Sequence, residues 1–595
     1  MHKQTSKGWR RKTAALLAAA GLFACVPVPA AAYDDFETVT AQVDLPLLQE
    51  LAVTRPEGKA STSAANYYLT GSSNPEEELT LNGEPVSGRG ALGSWGAWVA
   101  LSPGENTFTL RNGAAEETVS ILKSAGAGEV ETTTVLTSQT PLYDVAALAG
   151  EKAVFRCVAP AGAQVSVQVD GETVPLRQKV AAAVEGVPAV FTGEWTVPDG
   201  GGVRSLGPVE YTLRYRGETS VYPSEGALYA VGSGETLLVQ MKDTSSTVFR
   251  ESSTSSNFMA TAKAGAVDYV QAIEGNMYQL GMGGWVLQQN AQPLTEAAGY
   301  QNRVSDVWFE SDEKAERFIF NGTGQPVFTA YQDAERLHIF FPHTSGIDAV
   351  PTGSSRLFDS VRVSRQEDGV SLDFMLSEGQ TLWGYVVEYD GEGSTILTCK
   401  FPPRRAKGSQ PLAGVTVAID PGHGGEDSGA LGITATRGAT EKQITLATAL
   451  AVEKRLQSLG ASVVMTRRDD SAVSLSERQR IAEQAKADFF IALHANAPAA
   501  GSNGLKPNGV EVYYYEDISA SFAGTLLERM VSETGRSARW ARYSNFKVTL
   551  NSYAPSVLLE MGFLQNPAEY DDMCSRRGIF RTANAVADSI LAALD

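Results

Sequence analysis

The feature that most constrains this chain is a change of pattern near residue 402. From Tyr33 to about Pro402, short alternating runs are punctuated by Gly, Pro, Asn and Asp, the pattern of antiparallel β structure with few helical periods. Next comes Pro402-Pro403-Arg404-Arg405-Ala406-Lys407-Gly408-Ser409-Gln410-Pro411, basic, proline-flanked and without an apolar period, which reads as a linker. Beyond it, Val415 to Ile419, Ser462 to Met465, Phe489 to Leu493, Val510 to Tyr514 and Val557 to Met561 read as strands separated by amphipathic helical segments, an α/β arrangement. In the first of those helices Leu446, Ala449, Val452, Leu456 and Leu459 form one apolar stripe. Thr440 and Gln443 give it a capping-box start, and Gly460 a stop.

A length of 595 residues is several domains' worth. The fold class expected is therefore multidomain: several all-β modules, sandwich and small barrel, then a C-terminal α/β domain. Leu79 to Val86 and Val167 to Val174 share one template, a strand, an Asn-Gly or Asp-Gly turn and a return strand. On it rest two sandwiches, 33–130 and 131–225, which resemble immunoglobulin-like modules of bacterial surface proteins. The runs Ala227 to Val231, Leu237 to Met241 and Val267 to Val270, closing on Gly283-Gly284-Trp285-Val286, resemble a bacterial Src-homology-type small barrel over 226–298. A further β segment, 302–401, holds His338 and His343, to which no chemistry is assigned. The linker spans 402–411 and the α/β domain 412–595.

The N-terminus reads as an export signal over 1–32. Lys3, Lys7, Arg10, Arg11 and Lys12 precede an apolar stretch from Ala14 to Val28, which ends in Ala30-Ala31-Ala32. Its removal takes away five positive charges and moves the net charge from −19 to −24. Such acidity argues against nucleic acid as a partner, and no second apolar run of spanning length follows the signal, so no integral membrane segment is expected. Cys157, Cys399 and Cys574 are scattered over separate segments and read as buried single thiols.

In an open α/β sheet, ligands bind at the carboxyl ends of the strands. There stand Asp420-Pro421-Gly422-His423-Gly424-Gly425, His494-Ala495-Asn496 and Glu560-Met561-Gly562, while Glu441 begins the capped helix. Two imidazoles and a carboxylate are a known catalytic zinc set, which His423, Glu441 and His494 fit. Their separation in sequence is not diagnostic by itself. Glu426 and Asp420 are candidates to support the site or to serve their own loop. Asn496 is a candidate for substrate contact or for local backbone satisfaction. The glycines do not form a phosphate cradle, because no Gly-Lys-Ser/Thr follows them.

The blocks Val417 to Ala430, Glu441, Phe490 to Asn496 and Pro555 to Pro567, with Met465-Thr466-Arg467 and Leu475-Ser476-Glu477-Arg478 between them, resemble in order and spacing those of the zinc-dependent N-acetylmuramoyl-L-alanine amidases. The resemblance covers essentially the whole α/β domain. It implies zinc as cofactor, His423, Glu441 and His494 as its ligands, and Glu560 as the catalytic carboxylate. It further implies peptidoglycan, glycan and stem peptide together, as substrate, and a secreted protein of the cell wall or envelope. Segment 302–401 resembles the amidase N-terminal (AMIN) module often found ahead of such enzymes. The stretch 536–550 matches the family pattern loosely, and no inserted helix that would plug the cleft is recognised, so autoinhibition is not expected. Rival readings are a wall-binding scaffold that keeps the fold and a zinc peptidase acting within the stem peptide. An activator or wall-polymer ligand is left unidentified.

Overall fold

The computed structural model describes residues 36–124, 132–181, 184–243, 245–295, 300–353, 355–390 and 392–595. The export signal lies outside the described residues. Among those described, no helix is long and apolar enough to cross a membrane.

Ahead of the linker the regular structure is almost entirely β. In the first module a three-stranded sheet (Ala52–Arg55, Asn66–Ser72, Trp95–Ala100) accompanies a five-stranded one, with Trp95 and Leu69 fully buried. The second module is a seven-stranded arrangement from Val145–Leu148 to Glu218–Val231. Both hairpins seen in the sequence form. Asn82 and Gly83 have φ of 53° and 87°, and Asp170 and Gly171 have 46° and 79°, the paired left-handed residues that a tight hairpin turn of matching twist requires.

The third module differs from expectation at its start. Ala227 to Val231 is the end of the long strand Glu218–Val231, paired with Val203–Tyr215 and, in parallel, with Val145–Leu148, so it belongs to the second module. The boundary expected at 226 therefore moves to just before Leu238–Met241, where the next seven-stranded sheet begins. An alternating run specifies a strand but not which sheet receives it. Segment 302–401 forms two four-stranded sheets closed over Phe318, Leu337, Phe374 and Leu397. Within it, His338 stacks on Tyr331 and meets Asp373 Oδ1 at 2.8 Å. Residues 402–411 carry no helix or strand.

The C-terminal region contains β1 (Thr416–Pro421), α1 (Glu441–Ser458), β2 (Ser462–Met465), α2 (Leu475–Gln484), β3 (Phe489–Asn496), β4 (Val510–Tyr514), α3 (Ala520–Thr534), β5 (Ala538–Tyr543), β6 (Ser556–Phe563), α4 (Pro567–Cys574) and α5 (Arg576–Ala593). The sheet order is β2-β1-β3-β6-β4-β5. All pairings are parallel except β4 with β6. β1 and β3 are apolar on both faces because helices cover both, the usual consequence of parallel crossovers. Helix α1 starts where its cap predicts: Thr440 N–H donates to Gln443 Oε1 at 3.0 Å.

The β modules pack onto this region. Helix Phe36–Thr40 places Val39 in the core that includes Leu456 and Ile590. Tyr68 OH donates to Gln565 O at 2.8 Å, and Thr54 Oγ1 to Ile433 O at 3.1 Å. Asp571 Oδ2 on α4 accepts Leu92 N–H at 2.6 Å. On the other side, Trp383 Nε1 donates to Asp488 O at 2.8 Å, and Lys263 pairs with Glu483 at 2.6 Å.

Candidate metal centre

β1 ends in a loop whose residues have little freedom. Asp420 is buried; its Oδ1 accepts Thr466 Oγ1 at 2.5 Å and Arg478 Nη1 at 2.6 Å. The buried Arg478 guanidinium also donates to Pro421 O and His423 O, each at 2.7 Å, and Arg467 donates to Pro421 O and Gly422 O at 3.0 and 2.8 Å. Asp420 thus reaches His423 through the arginine that grips the loop. A Cβ on Gly422 would lie 2.3 Å from His494 Cε1, so only glycine lets β1 and β3 approach with the imidazole between them. His423 itself has φ 64°, a left-handed conformation uncommon outside glycine.

Three elements bring the three candidate ligands together. His423 follows β1, Glu441 opens α1, and His494 sits near the end of β3. Glu441 Oε1 lies 3.0 Å from His423 Nε2 and 3.0 Å from His494 Nδ1, and the ligand atoms of the three residues fall within 4.8 Å of one another. The carboxylate also accepts Ala495 N–H at 3.1 Å and Ala430 N–H at 2.8 Å. Its place in the first turn of a helix further favours negative charge. Burial works against ionisation of Glu441, but the hydrogen bonds and charges of both histidines hold its carboxyl well below the usual range. Burial likewise pulls His423 down, yet its hydrogen bonds to Glu441 and Asp427 and the charges of both carboxylates outweigh it and carry the imidazole to about 9. The donor set therefore draws positive charge, and two imidazoles with one carboxylate suit zinc.

Asp427, which the sequence reading passed over, accepts from His423 Nδ1 at 2.8 Å. Such a bond fixes the tautomer and leaves Nε2 free toward the cluster. Its neighbour Glu426 is exposed, and among the described residues it has no hydrogen bond or ion pair. Asn496 donates from Nδ2 to Glu511 Oε2 at 2.8 Å. Glu511, 2 % exposed, also receives Tyr513 OH at 2.6 Å and Arg539 Nε at 2.5 Å. In the sheet, Glu560 stands between the two, opposite His494 on β3 and opposite Glu511 on β4. Its Oε2 is buried without a hydrogen-bond partner among the described residues. Burial pushes its carboxyl up; His494 opposes this, and the charges of Glu441 and Glu511 add to it, leaving it at about 7.

A His–Glu–His cluster with a neighbouring half-buried carboxylate at the carboxyl ends of a mixed sheet defines a candidate metallohydrolase centre. Comparison with known proteins is specific. Residues 417–592 match the family model for N-acetylmuramoyl-L-alanine amidase. Over 189 residues the chain is 35% identical to the uncharacterized protein YqiI of Bacillus subtilis, covering 31% of this chain and 87% of that one. It is 39% identical over 168 residues to the probable cell wall amidase LytH of Staphylococcus epidermidis, covering 28% of this chain and 54% of LytH; it thus spans about half of that relative. Among solved structures, the catalytic domain of CwlV, an N-acetylmuramoyl-L-alanine amidase from Bacillus (Paenibacillus) polymyxa var. colistinus, is 38% identical, with 30% of this chain and 98% of that one covered and a TM-score of 0.29. The chain belongs to the N-acetylmuramoyl-L-alanine amidase family.

Proposed function

We propose that the protein hydrolyses the amide bond joining N-acetylmuramic acid to L-alanine in peptidoglycan, with His423, Glu441 and His494 holding zinc and Glu560 acting as the base. The observation that carries this reading is the meeting of the three ligand atoms within 4.8 Å, with His494 directly opposite Glu560, a carboxylate whose Oε2 has no hydrogen-bond partner among the described residues. Bound there, zinc supplies a Lewis acid that polarises the carbonyl and lowers the pKa of water to about 7.

The residues divide the remaining work. Asp427 orients His423 through Nδ1, and the Ala430 and Ala495 amides orient Glu441. Glu560 takes the proton of the attacking water and delivers it to the departing amide nitrogen, which leaves as the amine of L-alanine. Its raised pKa suits both halves of that transfer, since the same group must accept and then donate near neutrality. Arg539 and Asn496 keep Glu511 hydrogen-bonded beside it. The upstream modules, as immunoglobulin-like, small-barrel and AMIN-like units, hold the enzyme at the wall of a cell envelope to which it is exported.

Digestion of purified peptidoglycan by the mature protein and by Glu560→Gln, with products read by mass spectrometry, tests this reading. Expected are free stem peptides beginning with L-alanine, a loss of about 100- to 10,000-fold in the variant, and equal zinc content in both. Cleavage at an internal peptide bond would instead identify a peptidase. Intact glycan-peptide linkages with a full complement of zinc would sink the amidase reading.

A further inference from the structure

The first β module forms one wall of a cavity beside the metal-ligand cluster. The cavity, about 490 Å³, lies between Arg55 and Tyr67 of that module and Leu431, Pro498 and Gln565 of the amidase region. Two chain connections tie it to the site. Ala430, on its wall, donates its N–H to Glu441 Oε2 at 2.8 Å. Ala497, also on its wall, directly follows the end of β3, the strand that carries His494.

Arg55 is the charged side chain in this lining. Among the described residues its side chain makes one hydrogen bond, from Nη1 to Gln565 Oε1 at 3.3 Å, and has no carboxylate partner. Arg478 and Arg539, by contrast, are paired with the carboxylates of Asp420 and Glu511. Gln565 is itself held, because its Nε2 donates to Leu431 O and its backbone carbonyl accepts Tyr68 OH. The guanidinium is thus anchored at one nitrogen and keeps most of its five donors for another group. A planar fork of this kind matches a carboxylate bidentately, whereas a neutral sugar does not call for the charge. The rest of the lining is largely apolar, as expected of a site where a few polar groups set orientation.

We infer that this cavity is a substrate subsite shared between the first β module and the amidase region, in which Arg55 binds a free carboxylate on the peptide arm of the substrate. The inference rests on the amidase reading for the identity of the peptide. It makes the module a part of the cleft that selects among peptidoglycans whose stem carboxylates are free or converted to carboxamides.

The test uses the full mature chain, zinc-loaded, with two stem peptides that differ only in a free carboxylate or a carboxamide at the residue after L-alanine. Dissociation constants come from calorimetry, and KM and kcat from the corresponding muramoyl peptides. Expected is binding of the carboxylate peptide tighter by about tenfold or more. In Arg55→Ala that gap closes through KM, and Arg55→Lys, which keeps charge but loses the fork, falls between. Equal binding of both peptides by the wild type, no binding of either, or an equal loss on both peptides in Arg55→Ala overturns the subsite. Carboxylate-dependent binding without cleavage of either muramoyl peptide overturns the amidase reading and leaves the subsite standing.

Discussion

Replacing Arg478 by methionine should loosen the loop that carries His423 while leaving the β modules intact. The guanidinium is 4 % exposed and its partner Asp420 1 %. Methionine fills part of the volume but strands a buried carboxylate with Thr466 as its remaining partner and leaves the Pro421 and His423 carbonyls without this donor. Breaking a buried pair from one side costs about 3–5 kcal/mol. At about 1.4 kcal/mol per tenfold, that accelerates hydrogen exchange in residues 416–424 by roughly 150- to 5,000-fold. Exchange mass spectrometry reads this segment separately, which matters because a chain of several modules does not unfold in one step. Residues 358–376 serve as the internal reference and should not change. Adding Asp420→Asn to Arg478→Met removes the stranded charge and should recover part of the protection. Acceleration of less than tenfold in 416–424, or faster exchange in the double variant than in the single one, would refute the view that this pair holds the loop.

Two further expectations follow from buried groups away from the cluster. Glu516 lies near Tyr385, Tyr515 and Tyr553, and burial, helped by Asp517, pushes its carboxyl up to about 7. A raised acid stabilises the fold fully below about pH 4.5 and loses that contribution as pH rises through 7; the ceiling is about 3 kcal/mol. The thermal stability of Glu516→Gln relative to wild type should therefore rise between pH 4.5 and 8, and a constant difference would contradict the assignment. Cys157, Cys399 and Cys574 are buried free thiols, with burial raising Cys157 to about 12 and the other two well above the usual range. A thiol reagent should label none of them in the native protein and all three in denaturant; native labelling of any one would show its module opening.

What the sequence made legible was local. Five strands of the amidase region and the start of α1 are visible because apolar runs and a capping box report on the residues that contain them. β5 is not, because Ala538–Tyr543 is an edge strand with an exposed or half-buried side chain at every position. Its Arg539 and Arg542 lie over Trp540, so it shows no buried alternation. His423, His494 and Glu560 stand out by their strand-end positions and Glu441 by opening a capped helix, while their roles are what the resemblance to the amidases implies. Asp427 was overlooked although it falls four residues after His423, within reach of its ring. Glu511 gave a signal in plain view: a carboxylate inside the apolar run Val510 to Val512 must have partners if it is buried. The docking of the modules was not legible, since Tyr68, Gln565 and Asp571 look like ordinary surface residues until the two parts are placed together.

That docking has a consequence for the order of events in the life of the chain. Glu37 pairs with Arg576 and Thr40 with the same guanidinium, across 539 and 536 residues. Synthesis delivers the first module long before the helix that receives it. Until Leu431, Pro498 and Gln565 have followed it out, the wall that carries Arg55 has no opposite face. The cavity is thereby a product of the docked modules, so a fragment that ends at the linker contains every β module and only one of its two walls.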